Sequence, residues 1–541
     1  MIFKLFYWQI SQGQKLSALA FSQYFVEEEI PAQRGLIFTS DNFPLVQNTP
    51  AYLLYALINQ LEKKPAEIAA ILAKIINQKE SDIVEKLENK NSSWVALARK
   101  LDLNQKKEIQ SFSIKGLGFE EESIREYPEG SMAAQLLGFV AKDAVGRDKG
   151  YFGLEGYYDR ELTGRPGILR MERDAQGRPM VVGKQNKEEE IPGRNLILFL
   201  DRRIQFLAEN RLKEGLEKYG AKSGTVIIMD PKTGGILAMA SFPSFDPANF
   251  NQYDQNLYLN PAISEGFEPG SIFKVIMMAA AINEKAVRPE ESCNQCAGPR
   301  TIGEYSIQTW NNKYHPNLTM TEVIQYSDNV GMVYVADKLG KEKEIAYLKN
   351  FGLGEPTGID LQGEDSPPLR EDNSWSQIDL ATAAFGQGIA VTPLQMTTAV
   401  NAIANGGQLV VPRLVDKISY EDKIIATKPK IKRQVISSQT AKIITEMMVN
   451  AVEKGEAAGF KLPGYRVAGK TGTAQIPISG HYDEKKTIAS FVGFAPADNP
   501  LFVMLVTLRE PSSSPWGSRT AAPLWFDIAK DIFLLWKIPP Q

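Results

Sequence analysis

Between Ala51 and Gln105 apolar residues return with helical spacing among Lys and Glu, as in Ile68, Ile71, Leu72, Ile75 and Ile76. That pattern predicts small, partly exposed helices. From Ser111 to Gly167 the apolar runs shorten and Gly and Pro punctuate them, as in Glu126-Tyr127-Pro128-Glu129-Gly130 and Gly150-Tyr151-Phe152-Gly153, which predicts strands and loops. The charged run Lys184-Gln185-Asn186-Lys187-Glu188-Glu189-Glu190, ahead of Ile191-Pro192-Gly193, reads as an exposed hairpin tip near a domain boundary. After Asn195 the pattern changes. Leu196 to Leu200 predicts a strand and Arg203 to Tyr219 an amphipathic helix. Gly224 to Asp230 and Ile236 to Ala240, around Pro231-Lys232-Thr233-Gly234, predict a hairpin. Helices are expected near Ser271 to Asn283, Met320 to Leu339 and Pro393 to Asn405, strands at Ile488 to Gly493 and Leu501 to Thr507, and a closing helix near Leu524 to Trp536. Strands at both ends enclosing a block of helices imply an α+β fold whose sheet gathers strands from distant sequence.

The chain has 541 residues, more than one core supports, since single cores stop growing at roughly 250 to 300 residues. Three parts are expected: an N-terminal, membrane-proximal helix over 1–25, a first domain over 26–195 and a second over 196–541. With 43% hydrophobic and 23% charged residues the chain reads as globular, not disordered. A formal net charge of -3 with no basic block gives no steering toward nucleic acid or an anionic membrane. Met1 to Ile10 is aromatic and apolar but broken by Lys4 and Gln9, with Gln12, Gln14 and Lys15 following, too short a run for a spanning helix of about 20 residues. Tyr7 and Trp8 beside Lys4 fit the interfacial end of such a helix, and equally a short amphipathic helix packed on the body of the protein. No cleavable signal peptide is visible.

Two cysteines, Cys293 and Cys296, exclude a disulfide framework and a four-cysteine zinc site. Their spacing suits a redox pair, but two small side chains in a loop is the favoured reading, because no thioredoxin-like pattern surrounds them. Only His315 and His481 are present, so the chemistry is expected to run without a Ser-His-Asp relay.

The chemistry-bearing residues fall in three short motifs. Glu268-Pro269-Gly270 delivers Ser271-Ile272-Phe273-Lys274 to the first turn of a helix, and three-residue spacing puts Ser271 and Lys274 on one face. A serine hydroxyl needs a base, and a lysine serves when burial and nearby positive charge lower its pKa. The helix N-terminus and the Ser271 backbone N–H favour an oxyanion. Alone this tetrad is weak, equally a capped helix with an exposed lysine. Ser327-Asp328-Asn329 follows, with a hydroxyl placed to relay a proton and an amide placed to hold substrate and Lys274 together. Lys470-Thr471-Gly472-Thr473 is expected on an edge strand facing the cleft. There Lys470 supplies positive potential, Thr471 and Thr473 bind a terminal carboxylate, Gly472 admits the substrate backbone, and the Thr473 N–H is the second oxyanion donor. Three such motifs in this order are a strong signal.

With these motifs the chain resembles the class B penicillin-binding proteins, the monofunctional peptidoglycan D,D-transpeptidases, over nearly its whole length. Ala240-Ser241-Phe242-Pro243-Ser244-Phe245-Asp246-Pro247 and Phe385-Gly386-Gln387-Gly388-Ile389-Ala390-Val391-Thr392-Pro393-Leu394-Gln395 look like the family's segments flanking the active site. Gly153-Leu154-Glu155, Leu162-Thr163-Gly164-Arg165-Pro166-Gly167 and Arg34-Gly35-Leu36-Ile37 are similar to its pedestal domain, although Thr39-Ser40 stands where the family usually has an acidic residue and then arginine. The resemblance implies a serine β-lactamase/transpeptidase-like domain, an antiparallel sheet with helices on both sides, preceded by an elongated α+β pedestal. It implies a stem peptide ending in D-Ala-D-Ala as substrate, an acyl-enzyme on Ser271, β-lactams as inhibitors, no cofactor or metal, and action outside the cytoplasmic membrane. It also implies a polytopic glycosyltransferase and the division complex as partners. Arg125-Glu126-Tyr127-Pro128 looks more like the division-type branch than the elongation-type branch.

Rival readings share the acylation residues. A class A β-lactamase has Glu-Pro-x-x-Asn, and here Glu355-Pro356-Thr357-Gly358 is followed by Ile359. A D,D-carboxypeptidase shares every catalytic residue and stays open. A β-lactam sensor calls for a multi-span region, and an inactive scaffold for the loss of Ser271, Lys274 or Lys470.

Overall fold

The computed structural model describes residues 4, 6–15, 25–89, 93–144, 146–172, 185–478 and 481–540. Residue contacts divide the chain into two units, one of residues 1–37, 45–128 and 160–195 and another of 38–44, 129–159 and 196–541.

In the first unit the strand Pro44–Leu57 pairs antiparallel with Trp94–Leu101 on one side and Leu117–Glu126 on the other. The helices Pro65–Ile75 and Glu80–Leu87 supply Ile68, Leu72, Ile83 and Leu87 to a core that also buries Leu54, Leu97 and Ile109. The expected helical region is therefore corrected at both ends. Ala51 to Leu57 is a continuous apolar run that helical and strand periodicity describe equally well, and cross-strand pairing with Leu117–Glu126 decides for strand. A second, three-stranded sheet joins Phe25–Ile30, Gly167–Glu172 and Gln185–Glu188. Gln185–Glu188 is thus a paired strand and not the tip of a hairpin. Lys184 lies outside the described residues, as do residues 1–3, 5 and 16–24 of the expected N-terminal helix. Of that helix Tyr7–Ser11 is a single π-helical turn, with Tyr7 and Trp8 edge to face at 5.1 Å. Among the described residues no helix is long and apolar enough to cross a membrane.

The second unit is built on a five-stranded antiparallel sheet in the order Ile236–Phe242, Ser223–Met229, Phe502–Arg509, His481–Ala495, Ala468–Ile478. Alternation along these strands sorts their side chains between two cores. Val226, Ile228, Ala489, Phe491, Met504 and Val506 meet the helices Arg202–Tyr219 and Ala521–Leu535. Ile488, Val492, Val503 and Leu505 meet the larger helical block. The first helix starts where Asp201 accepts from the backbone N–H groups of Arg203 and Ile204, and stops at Gly220 in the left-handed region. In the expected hairpin the turn is closed by Asp230, whose Oδ1 accepts from the N–H groups of Lys232 and Thr233 at 2.8 Å each. Residues 129–159 join this unit through an aromatic cluster in which Phe139 stacks on Phe250 at 4.0 Å and meets Tyr258 edge to face at 4.9 Å. At Thr39, where the sequence departs from the family pattern, the side chain is buried and its hydroxyl donates to Asp41 and accepts from the Phe43 N–H, closing a tight turn.

Two expectations are corrected here. Cys293 and Cys296 are joined by a disulfide and both are buried; a three-residue spacing lets the Cα atoms approach to 5.6 Å, within bonding range. The helix expected over Met320 to Leu339 is two helices, Met320–Gln325 and Asn329–Leu339, because Ser327 adopts φ 57° and Asp328 caps the second by accepting from the Gly331 N–H. Trp525 is fully buried among Phe491, Phe502 and Phe526, and its indole N–H donates to Met504 O at 2.8 Å. Truncating it leaves a cavity and removes that hydrogen bond. Trp525→Ala is expected to cost roughly 3–5 kcal/mol of stability, read as a lowered thermal midpoint.

Candidate active site

Three elements converge, and each is held by a local feature of the sequence. Gly270 has φ +57°, and its N–H donates to Gly386 O at 2.9 Å. Phe267 and Val391 exchange both backbone hydrogen bonds at 2.9 Å. The Phe385–Gln395 segment therefore clamps the approach to Ser271. Gly270–Phe273 is a 3-10 turn and Lys274–Asn283 the α-helix that continues it, so Ser271 and Lys274 share a face one turn apart. Ser271 is half-buried and Lys274 fully buried.

The break between the two helices delivers the second element. Lys274 Nζ donates to Ser327 O at 2.6 Å and Asn329 Oδ1 at 2.7 Å, and lies 3.3 Å from Ser327 Oγ. Asn329 is itself oriented by donating to Gln308 O at 2.9 Å.

The third element is Ala468–Ile478, which among the described residues pairs only with His481–Ala495 and so forms the sheet edge, as expected. Lys470 is buried, and its Nζ donates to Thr471 O at 3.1 Å and Thr471 Oγ1 at 3.2 Å. A Cβ on Gly270 would sit 3.0 Å from Thr473 O, and one on Gly472 would collide with the Ser490 hydroxyl and reach Ile272 N at 3.2 Å. Both glycines are thus required for the edge strand to lie against the Ser271 turn. All eight residues singled out in the sequence meet around this turn. Thr473 Oγ1 accepts from Gly517 N–H at 2.9 Å. Trp516 packs edge to face on Trp310 at 5.1 Å, and Tyr326, next to Ser327, stacks on His315 at 5.1 Å.

Burial without a carboxylate in contact, and then the charge of Lys470, pull the Lys274 amine from its ordinary 10.5 to about 7, while Asp328 and Glu456 oppose the fall. Burial also lowers Lys470, and Glu456 opposes it there too. The arrangement can therefore take a proton from a hydroxyl beside it, hold a cation next to it, and offer backbone N–H groups at the start of a helix and on a sheet edge. Among the described residues no three His, Cys, Asp or Glu side chains converge as metal ligands would.

Sequence reasoning missed Glu456, whose Oε2 accepts from Thr471 Oγ1 at 2.6 Å, and Gly517. Neither lies in a motif: Glu456 stands 15 residues before Thr471 and Gly517 44 after Thr473.

Residues 224–534 match the family described as penicillin binding protein transpeptidase domain, and residues 29–198 the penicillin-binding protein dimerisation domain. Stage V sporulation protein D of Bacillus subtilis is 34% identical over 536 residues, 98% of this chain and 82% of that protein. Penicillin-binding protein PbpB of Mycobacterium tuberculosis is 32% identical, covering 97% of this chain and 81% of that protein. A crystal structure of penicillin binding protein 3 of the same organism, complexed with aztreonam, superposes with TM-score 0.73 at 28% identity, over 95% of this chain and 98% of that one.

An amine accepts a proton only when neutral. On the sequence expectation that Ser271 is acylated with Lys274 as base, the acylation rate is expected to rise with pH through about 7 and to fall again at alkaline pH as Lys470 loses its charge. A pH–rate profile of acylation checks this, and a rate flat through neutrality would contradict it.

Proposed function

The chain belongs to the penicillin-binding protein transpeptidases, and on that footing we propose that Ser271 is its acylated nucleophile, with Lys274 as base. The family gives it peptidoglycan D,D-transpeptidase activity on stem peptides, β-lactam binding, and a place on the extracytoplasmic face of the membrane. The observation that carries the assignment of roles is the fully buried Lys274 amine, bonded to Ser327 and Asn329 and lowered to about 7.

In the proposed course, Ser271 Oγ attacks the carbonyl of the penultimate D-alanine as its proton passes to Lys274. The tetrahedral oxyanion lies between the N–H groups of Ser271 and Thr473. Collapse expels the terminal D-alanine, whose amine takes a proton from Lys274 through the Ser327 hydroxyl. An acceptor amine then attacks the acyl-enzyme, loses its proton along the same route in reverse, and leaves a cross-link with Ser271 restored. Asn329 and the edge strand hold the donor peptide, and Lys470 supplies the positive potential that favours its carboxylate and the oxyanion.

Similarity is skewed toward the division-type proteins. We place the chain in septal wall synthesis, working with a polytopic glycosyltransferase of the division complex. Cells depleted of it are expected to elongate without completing septa; depleted cells that round up while still dividing would argue for the elongation branch.

A fluorescent penicillin is expected to label the intact chain, and Ser271→Ala to abolish labelling. Lys274→Ala is expected to lose labelling while keeping its thermal midpoint, since an ammonium without a carboxylate partner costs stability to bury. Undiminished labelling of either variant would overturn the assigned roles.

A further inference from the structure

An acidic side chain from outside the motifs enters this basic site. The helix Ser438–Lys454 ends at Gly455, and the next residue, Glu456, turns its carboxylate onto the edge strand, where Oε2 accepts from Thr471 Oγ1 at 2.6 Å. The same hydroxyl oxygen accepts from Lys470 Nζ at 3.2 Å. A threonine hydroxyl has one proton to give. With that proton committed to Glu456 and a lone pair committed to Lys470, Thr471 has no donor left for an incoming carboxylate. Thr473 is in the opposite condition. Its oxygen accepts from the Gly517 N–H at 2.9 Å, which leaves its own proton for a ligand.

We infer that Glu456 is a specificity-determining positioning residue: it withdraws Thr471 from carboxylate binding, assigns the donor's terminal carboxylate to Thr473 and Lys470, and holds down the site's reactivity toward anionic ligands. The inference rests on the transpeptidase reading above and deepens it. The charged groups acting on Lys274 are Lys470, which makes its amine easier to deprotonate, and Asp328 and Glu456, which make it harder. Asp328 is buried and committed to capping the helix that begins at Asn329. Glu456 is partly exposed, so it is the acidic group a ligand's own charge meets.

Glu456→Gln keeps an oxygen that accepts from Thr471 and removes only the charge. The test compares second-order acylation rate constants of the full chain with benzylpenicillin, which carries a carboxylate, and with its methyl ester, which does not. In Glu456→Gln the ratio of acid to ester is expected to rise roughly three- to tenfold, the size of effect a single nearby charge exerts at a protein surface. The acidic limb of the pH profile is expected to move to lower pH, because an anion that favours protonated Lys274 is gone. Glu456→Ala, which also frees the Thr471 proton, is expected to raise the ratio at least as far. A structural contribution alone would change both rates together and leave the ratio and the limb in place, and that result overturns the inference while the transpeptidase reading stands. A wild-type chain that reacts with neither compound overturns both.

Discussion

Two lysine amines, both buried, within electrostatic reach of each other and each hydrogen-bonded to neutral oxygens, are the condition on which this molecule's chemistry depends. Lys274 gives its hydrogen bonds to a backbone carbonyl, a hydroxyl and an amide, and Lys470 to a carbonyl and a hydroxyl. Taking an ammonium group out of water costs several kcal/mol even after relaxation, and a contacting carboxylate would offset much of that. Without one, the protein lowers the cost by loosening the proton, and a loosened proton on an amine beside a serine is what nucleophilic catalysis without histidine needs. On the proposed reading, the same feature that burdens folding supplies the base.

Such a site persists only if its surroundings prevent water and carboxylates from relaxing it. The helix carrying Lys274 is buried along nearly its whole length, from Val275 to Ile282, so it cannot shift without exposing core. The Ser327 backbone is held in the left-handed region between two capped helices, which fixes its carbonyl toward Lys274. The edge strand approaches within van der Waals limits only because Gly270 and Gly472 lack side chains. Packing, capping and backbone conformation thus converge on one small volume. Each belongs to a different stretch of sequence, and the five-stranded sheet is what brings them together.

The site was legible in sequence because its parts sit in short motifs with fixed internal spacing, and a turn of helix or a strand translates that spacing directly into geometry. The hairpin around Asp230 and the helix from Arg202 to Tyr219 were legible for the same reason, since turn residues and periodicity act locally. What escaped was set at long range or by the backbone conformation of single loop residues. Ala51 to Ala56 becomes a strand through partners 61 to 71 residues on, from Ala56 with Leu117 to Ala51 with Glu122. Glu456 stands in an unremarkable Gly-Glu-Ala-Ala run, and only the fold lays it on Thr471. The bond between Cys293 and Cys296 depends on the conformation of a loop that carries no periodic signal. The division of one expected helix at Ser327 turned on a single residue entering the left-handed region, which propensity disfavours and the capping Asp328 stabilises.

The state of the Lys274 proton is open to direct observation. With lysines labelled at the ε-carbon and the Lys274 resonance assigned by its disappearance in Lys274→Arg, an NMR titration of the unliganded chain reports that amine alone. The midpoint is expected at about 7; a midpoint at the ordinary 10.5 would mean that burial has not loosened the Lys274 proton.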